Sequence, residues 1–116
     1  KNTFKAYKVS KRFDDDISSI CAAFNLEIVK NKIKNVRIAY GGMAAIPKRA
    51  FFCEKVLLKS MVNEETFNKA KEALEKDFKP ISDMRASGLY RMEVAKNLLE
   101  KCGAEIKKKK IIGLYA

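Results

Sequence analysis

Histidine is absent from this 116-residue chain, and cysteine occurs three times, at Cys21, Cys53 and Cys102. Without an imidazole no Ser–His or Cys–His nucleophile pair can be assembled. The cysteines are odd in number and far apart, with no C-x-x-C pair. That argues against zinc, iron–sulfur and disulfide frameworks, and no metal site is expected. Each cysteine lies on an apolar spacing of helical period, so all three are expected to be buried thiols of a reducing cytoplasm. Glycine is scarce as well, and its five residues form neither G-x-G-x-x-G nor G-x-x-x-x-G-K. A stand-alone nucleotide site is therefore not encoded. No apolar run approaches the roughly 20 residues of a membrane span. The chain opens on Lys1 without an apolar leader-like stretch, and a fragment of a longer protein, or a processed chain, is the expectation.

Positive charge is what the sequence has in excess. Lysine and arginine number 25 against 14 acidic residues, a net charge of +11. Such a balance favours anionic partners. The cations are scattered, however, and the aromatic residues Phe24, Phe67 and Phe78 fall on apolar stripes. A small basic nucleic-acid-binding module, which would cluster cations with exposed aromatics, is the alternative reading from a different class, and no specific nucleic-acid partner is expected. The last sixteen residues hold five lysines and one glutamate, read as a solvated basic tail that includes Lys107, Lys108, Lys109 and Lys110.

Periodicity organises the chain into a single α+β domain spanning 1–116. "TFKAYKVSK" alternates, with Phe4, Ala6 and Lys8 on one face and Lys5, Tyr7 and Val9 on the other, which predicts a strand. Ile17, Ile20, Cys21 and Phe24 recur at helical spacing. Asp14, Asp15 and Asp16 would cap that helix at its positive end, and Asn25 would suit its C-terminal turn. "LEIVKNKIKNVRIAYGGM" reads as a hairpin turning at Asn31 and Lys32, with Gly41 and Gly42 ending the second arm and allowing positive φ or close backbone approach. Three helices follow: one from about Ala50 to Lys59; one capped by Asn63, with the stripe Phe67, Ala70, Leu74 and Phe78; one opening near Ser87 and closing at Gly103. The expected architecture is a small antiparallel sheet of about three strands packed on about four helices.

Two stretches concentrate functional residue types. Lys8 stands mid-strand between apolar neighbours. It lies either on a solvated sheet face or aimed at an anionic or carbonyl-bearing ligand. The aspartate run lacks the spaced ligands and late glutamate of a calcium loop, and capping explains it better. In "SDMRASGLYR", Asp83 and Arg85 could pair across a tight loop, with Arg91 four residues past the Ser87 cap. That reads as bracing of the helix entry.

Taken in order, "AYKVSKRFDDDIS", "VRIAYGGMAAIPKRA" and "ISDMRASGLYRMEVAKNLL" resemble the C-terminal domain of the FAD-carrying part of xanthine dehydrogenases and of the medium subunit of carbon monoxide dehydrogenase and related molybdenum hydroxylases. The resemblance covers about residues 3 to 102. The phrases look most like the small, FAD-binding subunit of bacterial xanthine dehydrogenases. The resemblance implies FAD shared with an upstream FAD-binding domain, with molybdopterin and 2Fe-2S clusters elsewhere in the complex and a molybdenum-binding subunit as partner. It implies an oxidoreductase of purine catabolism acting as part of a cytoplasmic complex. There electrons pass from iron–sulfur clusters through FAD to NAD+, and the isolated domain is inactive. Relatives acting on carbon monoxide, nicotinate or an aldehyde are the variant within the same superfamily. Lys8 matches the family's strand lysine at the pyrimidine edge of the flavin. Arg12, Asp15 and Asp16 match the basic and acidic residues at the rim where flavin and NAD+ meet. Position 13 is Phe where some relatives carry a second arginine. Gly41, Gly42, Asp83, Arg85, Tyr90 and Arg91 are carried over as structural, and no catalytic residue is assigned. The tail "KKKKIIGLYA" does not match the family pattern.

Overall fold

The structure, a computed structural model, describes residues 2–10, 20–43, 46–78 and 85–111. Four strands and three helices are present among them: β1 (Asn2–Ser10), β2 (Ile20–Val29), β3 (Lys32–Gly41), β4 (Lys48–Arg49), α1 (Phe51–Leu57), α2 (Glu64–Asp77) and α3 (Arg85–Ile111). The sheet is antiparallel throughout, in the order β1-β2-β3-β4. The α+β expectation holds, with one strand more and one helix fewer than anticipated.

The added strand is the two-residue β4, and the missing helix is the one expected to begin at Ile17. Residues 20–29 form the central strand instead. Ile20 and Phe24 satisfy a helical period, but Ile20, Ala22, Phe24, Leu26 and Ile28 also alternate at period two. All five are buried, a burial that a helix through them could not achieve. Asn25 is accordingly a mid-strand residue rather than a helix terminus, and Cys21 sits on a strand, not on a helical stripe. Asp14, Asp15 and Asp16 lie outside the described residues, and the helix they were to cap does not exist over 20–24.

The β2–β3 hairpin turns on Lys30 and Asn31, both in the left-handed region (φ 52° and 66°), as a two-residue type I′ turn requires. Its turn is thus one residue earlier than the expected Asn31–Lys32. A register shift between Glu27 and Ile28 then restores the inward phase of Ile33. After α1, Lys59 adopts φ 66° and its N–H donates to the carbonyl of Ile33 (2.7 Å), which ties the α1–α2 connection to the hairpin.

The helices cover one face of the sheet. α3 lies on β1 and β2, α1 on β3, and α2 joins α1 to α3. Ala50, Cys53 and Leu57 bury one side of α1 completely. Asn63 caps α2, its side chain accepting the N–H of Thr66 (2.8 Å). Phe67, Ala70 and Leu74 form the buried stripe of α2. In α3 the stripe is Met92, Ala95, Leu99, Cys102 and Ile106. This helix starts at Arg85, so Ser87 lies within its first turn, and it does not end at Gly103. A Cβ at position 103 would stand 3.0 Å from the Phe67 ring. The glycine is therefore a contact point between α2 and α3, which offsets its cost of about 1 kcal/mol in a helix interior. Residues 103–111 continue the helix rather than form a tail. Among the described residues no helix is long and apolar enough to cross a membrane.

Candidate functional site

Lys8 is on the inward row of β1, two and four residues after Ala6 and Phe4, and so on the side that α3 covers. Its cross-strand partner is the buried Ala22, and a lysine stem can pass along such a face while its ammonium reaches the rim. There Lys8 Nζ donates to Glu105 Oε2 of α3. The Lys8 side chain is 23% exposed and that of Glu105 42%, so the pair forms a half-open corner. Below it lies Cys102, fully buried and one turn before Glu105. Burial pushes the Cys102 thiol up strongly; Glu105 adds to this and Lys8 opposes it. Cys102 is thus a neutral floor rather than a thiolate nucleophile.

The second feature joins the end of β3 to the start of α3. Arg91 Nη1 donates to the carbonyl of Gly42 (2.6 Å). Gly42 has φ 89°, a conformation that costs a side-chain-bearing residue 1–2 kcal/mol or so. Gly41 is needed for a different reason, since a Cβ there would lie 2.8 Å from Cys21 Sγ. Arg91 Nε is buried and finds no acceptor among the described residues. The structure therefore brings Gly41, Gly42 and Arg91 together, in an arrangement that braces the sheet against α3.

Of the other expected residues, Arg12, Asp15, Asp16 and Asp83 lie outside the described residues. Arg85 and Tyr90 belong to the first turns of α3, where only the backbone is described.

Three carboxylates escaped the sequence reading. Glu105 is the lone acid among the five lysines of the last sixteen residues, and its position three residues after the buried Cys102 is the signal that could have found it. Glu54, buried, accepts the N–H of Ile38 (2.8 Å) and both Nε (3.0 Å) and Nη2 (2.7 Å) of Arg49. Asp77, also buried, accepts the N–H groups of Phe52 (2.8 Å) and Cys53 (2.9 Å) and so caps the first turn of α1 from the far end of α2. An acid in the last turn of a helix is on the wrong side of the dipole, which is the sequence signal that Asp77 serves another element. Burial raises the Asp77 carboxyl above the usual range, against the lowering by those two N–H groups and Lys48. Burial also pushes the Cys53 thiol up strongly, with Asp77 and Glu54 adding to it. These groups sit inside paired, apolar surroundings and offer no reactive centre.

Comparison with known proteins then assigns the arrangement to a lineage. Residues 5–106 match the model of the CO dehydrogenase flavoprotein C-terminal domain. The chain is 30% identical over 100 residues to the glyceraldehyde dehydrogenase medium chain of Sulfolobus acidocaldarius, covering 86% of this chain and 36% of that protein. It is 37% identical over 76 residues to the xanthine dehydrogenase of Emericella nidulans, covering 64% of this chain and 6% of that protein. Among solved structures, the reconstituted CO dehydrogenase from Oligotropha carboxidovorans superposes with a TM-score of 0.71 at 27% identity, over 88% of this chain and 37% of that one. The chain thus spans little more than a third of the length of the glyceraldehyde dehydrogenase medium chain and of the CO dehydrogenase chain that it matches.

Proposed function

This chain belongs to the CO dehydrogenase flavoprotein C-terminal domain family, and from that premise we propose that it completes the FAD site of a molybdenum hydroxylase of the xanthine dehydrogenase type. FAD is the cofactor of the family's flavoprotein, with molybdopterin and iron–sulfur clusters on other domains or subunits. The Lys8 corner fits that cofactor. A lysine ammonium has three N–H donors, and among the described residues Glu105 takes one of them. Two remain for an acceptor-rich edge brought to a corner that is still 23% exposed at Lys8.

In this reading Lys8 holds the pyrimidine edge of the flavin. A cation there favours the negative charge that the ring acquires on reduction. Glu105 fixes the lysine's direction and moderates its field, and the neutral Cys102 keeps the floor dry. Arg12, Asp15 and Asp16 follow Lys8 within eight positions of sequence. We assign them to the rim where a nicotinamide acceptor meets the flavin. The chain's role is to help electrons leave iron–sulfur clusters through FAD for NAD+, while a purine is hydroxylated on a partner subunit.

The observation that carries the shared reading is the family match across residues 5–106, which contains the whole corner. Identity to the Emericella xanthine dehydrogenase supports the purine substrate. Identity over a longer stretch to the glyceraldehyde dehydrogenase medium chain supports a second reading, an aldehyde substrate. The test is to purify the complete enzyme with its native partners, record flavin absorption, and assay NAD+ reduction with xanthine and with glyceraldehyde. Bound flavin with xanthine-dependent NADH formation is the expected result. Glyceraldehyde turnover without xanthine turnover would move the assignment to the second reading, and a flavin-free enzyme would overturn both.

A further inference from the structure

The face of the sheet away from the helices is independent of the flavin corner. Cross-strand register sets out its rows. Lys5, Asn25 and Arg37 lie side by side across β1, β2 and β3; Tyr7, Ala23 and Ala39 form the next row. An open antiparallel face is normally polar. Here its middle is two alanine methyls, a residue depleted in strands, next to a tyrosine that is 67% exposed. Tyr7 is the diagonal cross-strand neighbour of Cys21, which pairs with Val9 on the same face. Cys21 in turn leans over Gly41, whose missing Cβ leaves room for the sulfur. The tyrosine stands as a wall beside an apolar floor. Lys5, Tyr7, Ala23, Asn25, Arg37 and Ala39 are among the residues lining a hollow of about 470 Å³ that is open on its outer side.

At one end of the floor two like charges share a row. Lys5 and Arg37 are both exposed, two strand spacings or roughly 10 Å apart at the backbone. Neither has a carboxylate partner among the described residues, whereas Lys8, Arg49, Lys71 and Lys96 each have a glutamate. Asn25 stands between the two cations. A sheet that sets two cations around an amide beside an apolar shelf is complementary to carboxylates attached to an apolar body. Small-molecule sites bury about 70–90% of their ligand, which a hollow this open does not do. A flat face with an apolar centre and a charged rim is instead the anatomy of a protein interface.

We propose that this outer face docks an acidic protein segment from outside this chain. Carboxylates of that segment sit on Lys5 and Arg37, and an apolar or aromatic side chain lies on Ala23 and Ala39 against Tyr7. The test uses the complete enzyme with Tyr7 replaced by the photo-reactive p-benzoylphenylalanine, irradiated and analysed by mass spectrometry. A dominant cross-link to an Asp- or Glu-containing peptide from outside the 116 residues is expected. The double variant Lys5→Glu/Arg37→Glu should lower its yield about tenfold, because like charges juxtaposed across an interface oppose docking. The milder Lys5→Gln/Arg37→Gln should lower it less. Both side chains are exposed, so an unchanged melting temperature will confirm that the variants fold. Overturning results are the absence of any protein cross-link, a cross-link to a peptide without acidic residues, to nucleic acid or to the same face of a second copy, or a yield indifferent to charge reversal.

Discussion

Lys5 and Lys8 stand three residues apart on one strand and live in different surroundings. Lys8 faces the helices, where Glu105 meets it above a buried thiol. Lys5 faces away, where no carboxylate among the described residues meets it. The difference extends to the whole sheet. Its inner face carries a continuous core from Phe4 through Ile38 and Tyr40 to Leu99, and the charges at its margins are paired. Its outer face carries Ala23 and Ala39 beside Tyr7, and Lys5 and Arg37 on it have no carboxylate partner among the described residues. A strand thus assigns opposite tasks to adjacent positions: one row holds the domain together, the other is free to meet something else.

The largest expected effect comes from exchanging adjacent residues of β2. Phe24→Ala, on the inner row and 2% exposed, should destabilise the protein by about 3–5 kcal/mol, the range for emptying a buried aromatic site. Ala23→Ser, one position along on the outer row, should stay within about 0.5 kcal/mol. Urea denaturation of both variants checks the pair, and equal losses would break the contrast between the faces.

A smaller effect is expected in the helical layer behind the inner face. Gly103→Leu must place its side chain where the Phe67 ring already lies. It should cost about 1–3 kcal/mol as overpacking, against a gain of about 1 kcal/mol in helix propensity. A melting temperature above the parent's would show that Gly103 is not the contact point between α2 and α3.

The smallest stability effect concerns Asp77. Its carboxyl is raised by burial, so between the unfolded value of 3.8 and the raised folded value the native state binds more protons than the unfolded chain. Stability from this group therefore falls as pH rises through that window and levels off above it. Asp77→Asn should lose this portion of the pH dependence. It should also cost about 1 kcal/mol through the weakened cap on α1. Urea midpoints of parent and variant, compared across pH 3 to pH 7 or thereabouts, will reveal the difference; parallel curves would contradict the raised carboxyl.

Much of this architecture is legible in the residues, for reasons that differ by element. Asn63 followed by two glutamates, and the stripe Phe67, Ala70 and Leu74, mark α2 because capping and amphipathic burial act locally. β1 and the hairpin are legible through alternation. The strand β2 is not, because Ile20 and Phe24 fit two periods at once, and only the partner strands on both sides decide between them. Gly103 reads as a stop until Phe67, 36 residues earlier, explains it as a contact. The same holds at the candidate site. Lys8 stands out as a cation among apolar neighbours, but its partner Glu105 lies 97 residues away and Arg91's carbonyl acceptor 49. Pairings at that range are properties of the packed fold.

Lys8 is proposed to place a cation at the flavin, and the reduction potential of the flavin in the complete enzyme is the property that responds to that charge. Lys8→Ala should lower the two-electron potential by about 30 mV, the equivalent of roughly 1.4 kcal/mol, and Lys8→Arg should largely preserve it. Glu105→Gln, which leaves Lys8 unneutralised, should shift the potential the opposite way by a smaller amount. A potential unchanged in Lys8→Ala with flavin still bound would contradict the claim and return Lys8 to the role of a surface ion pair.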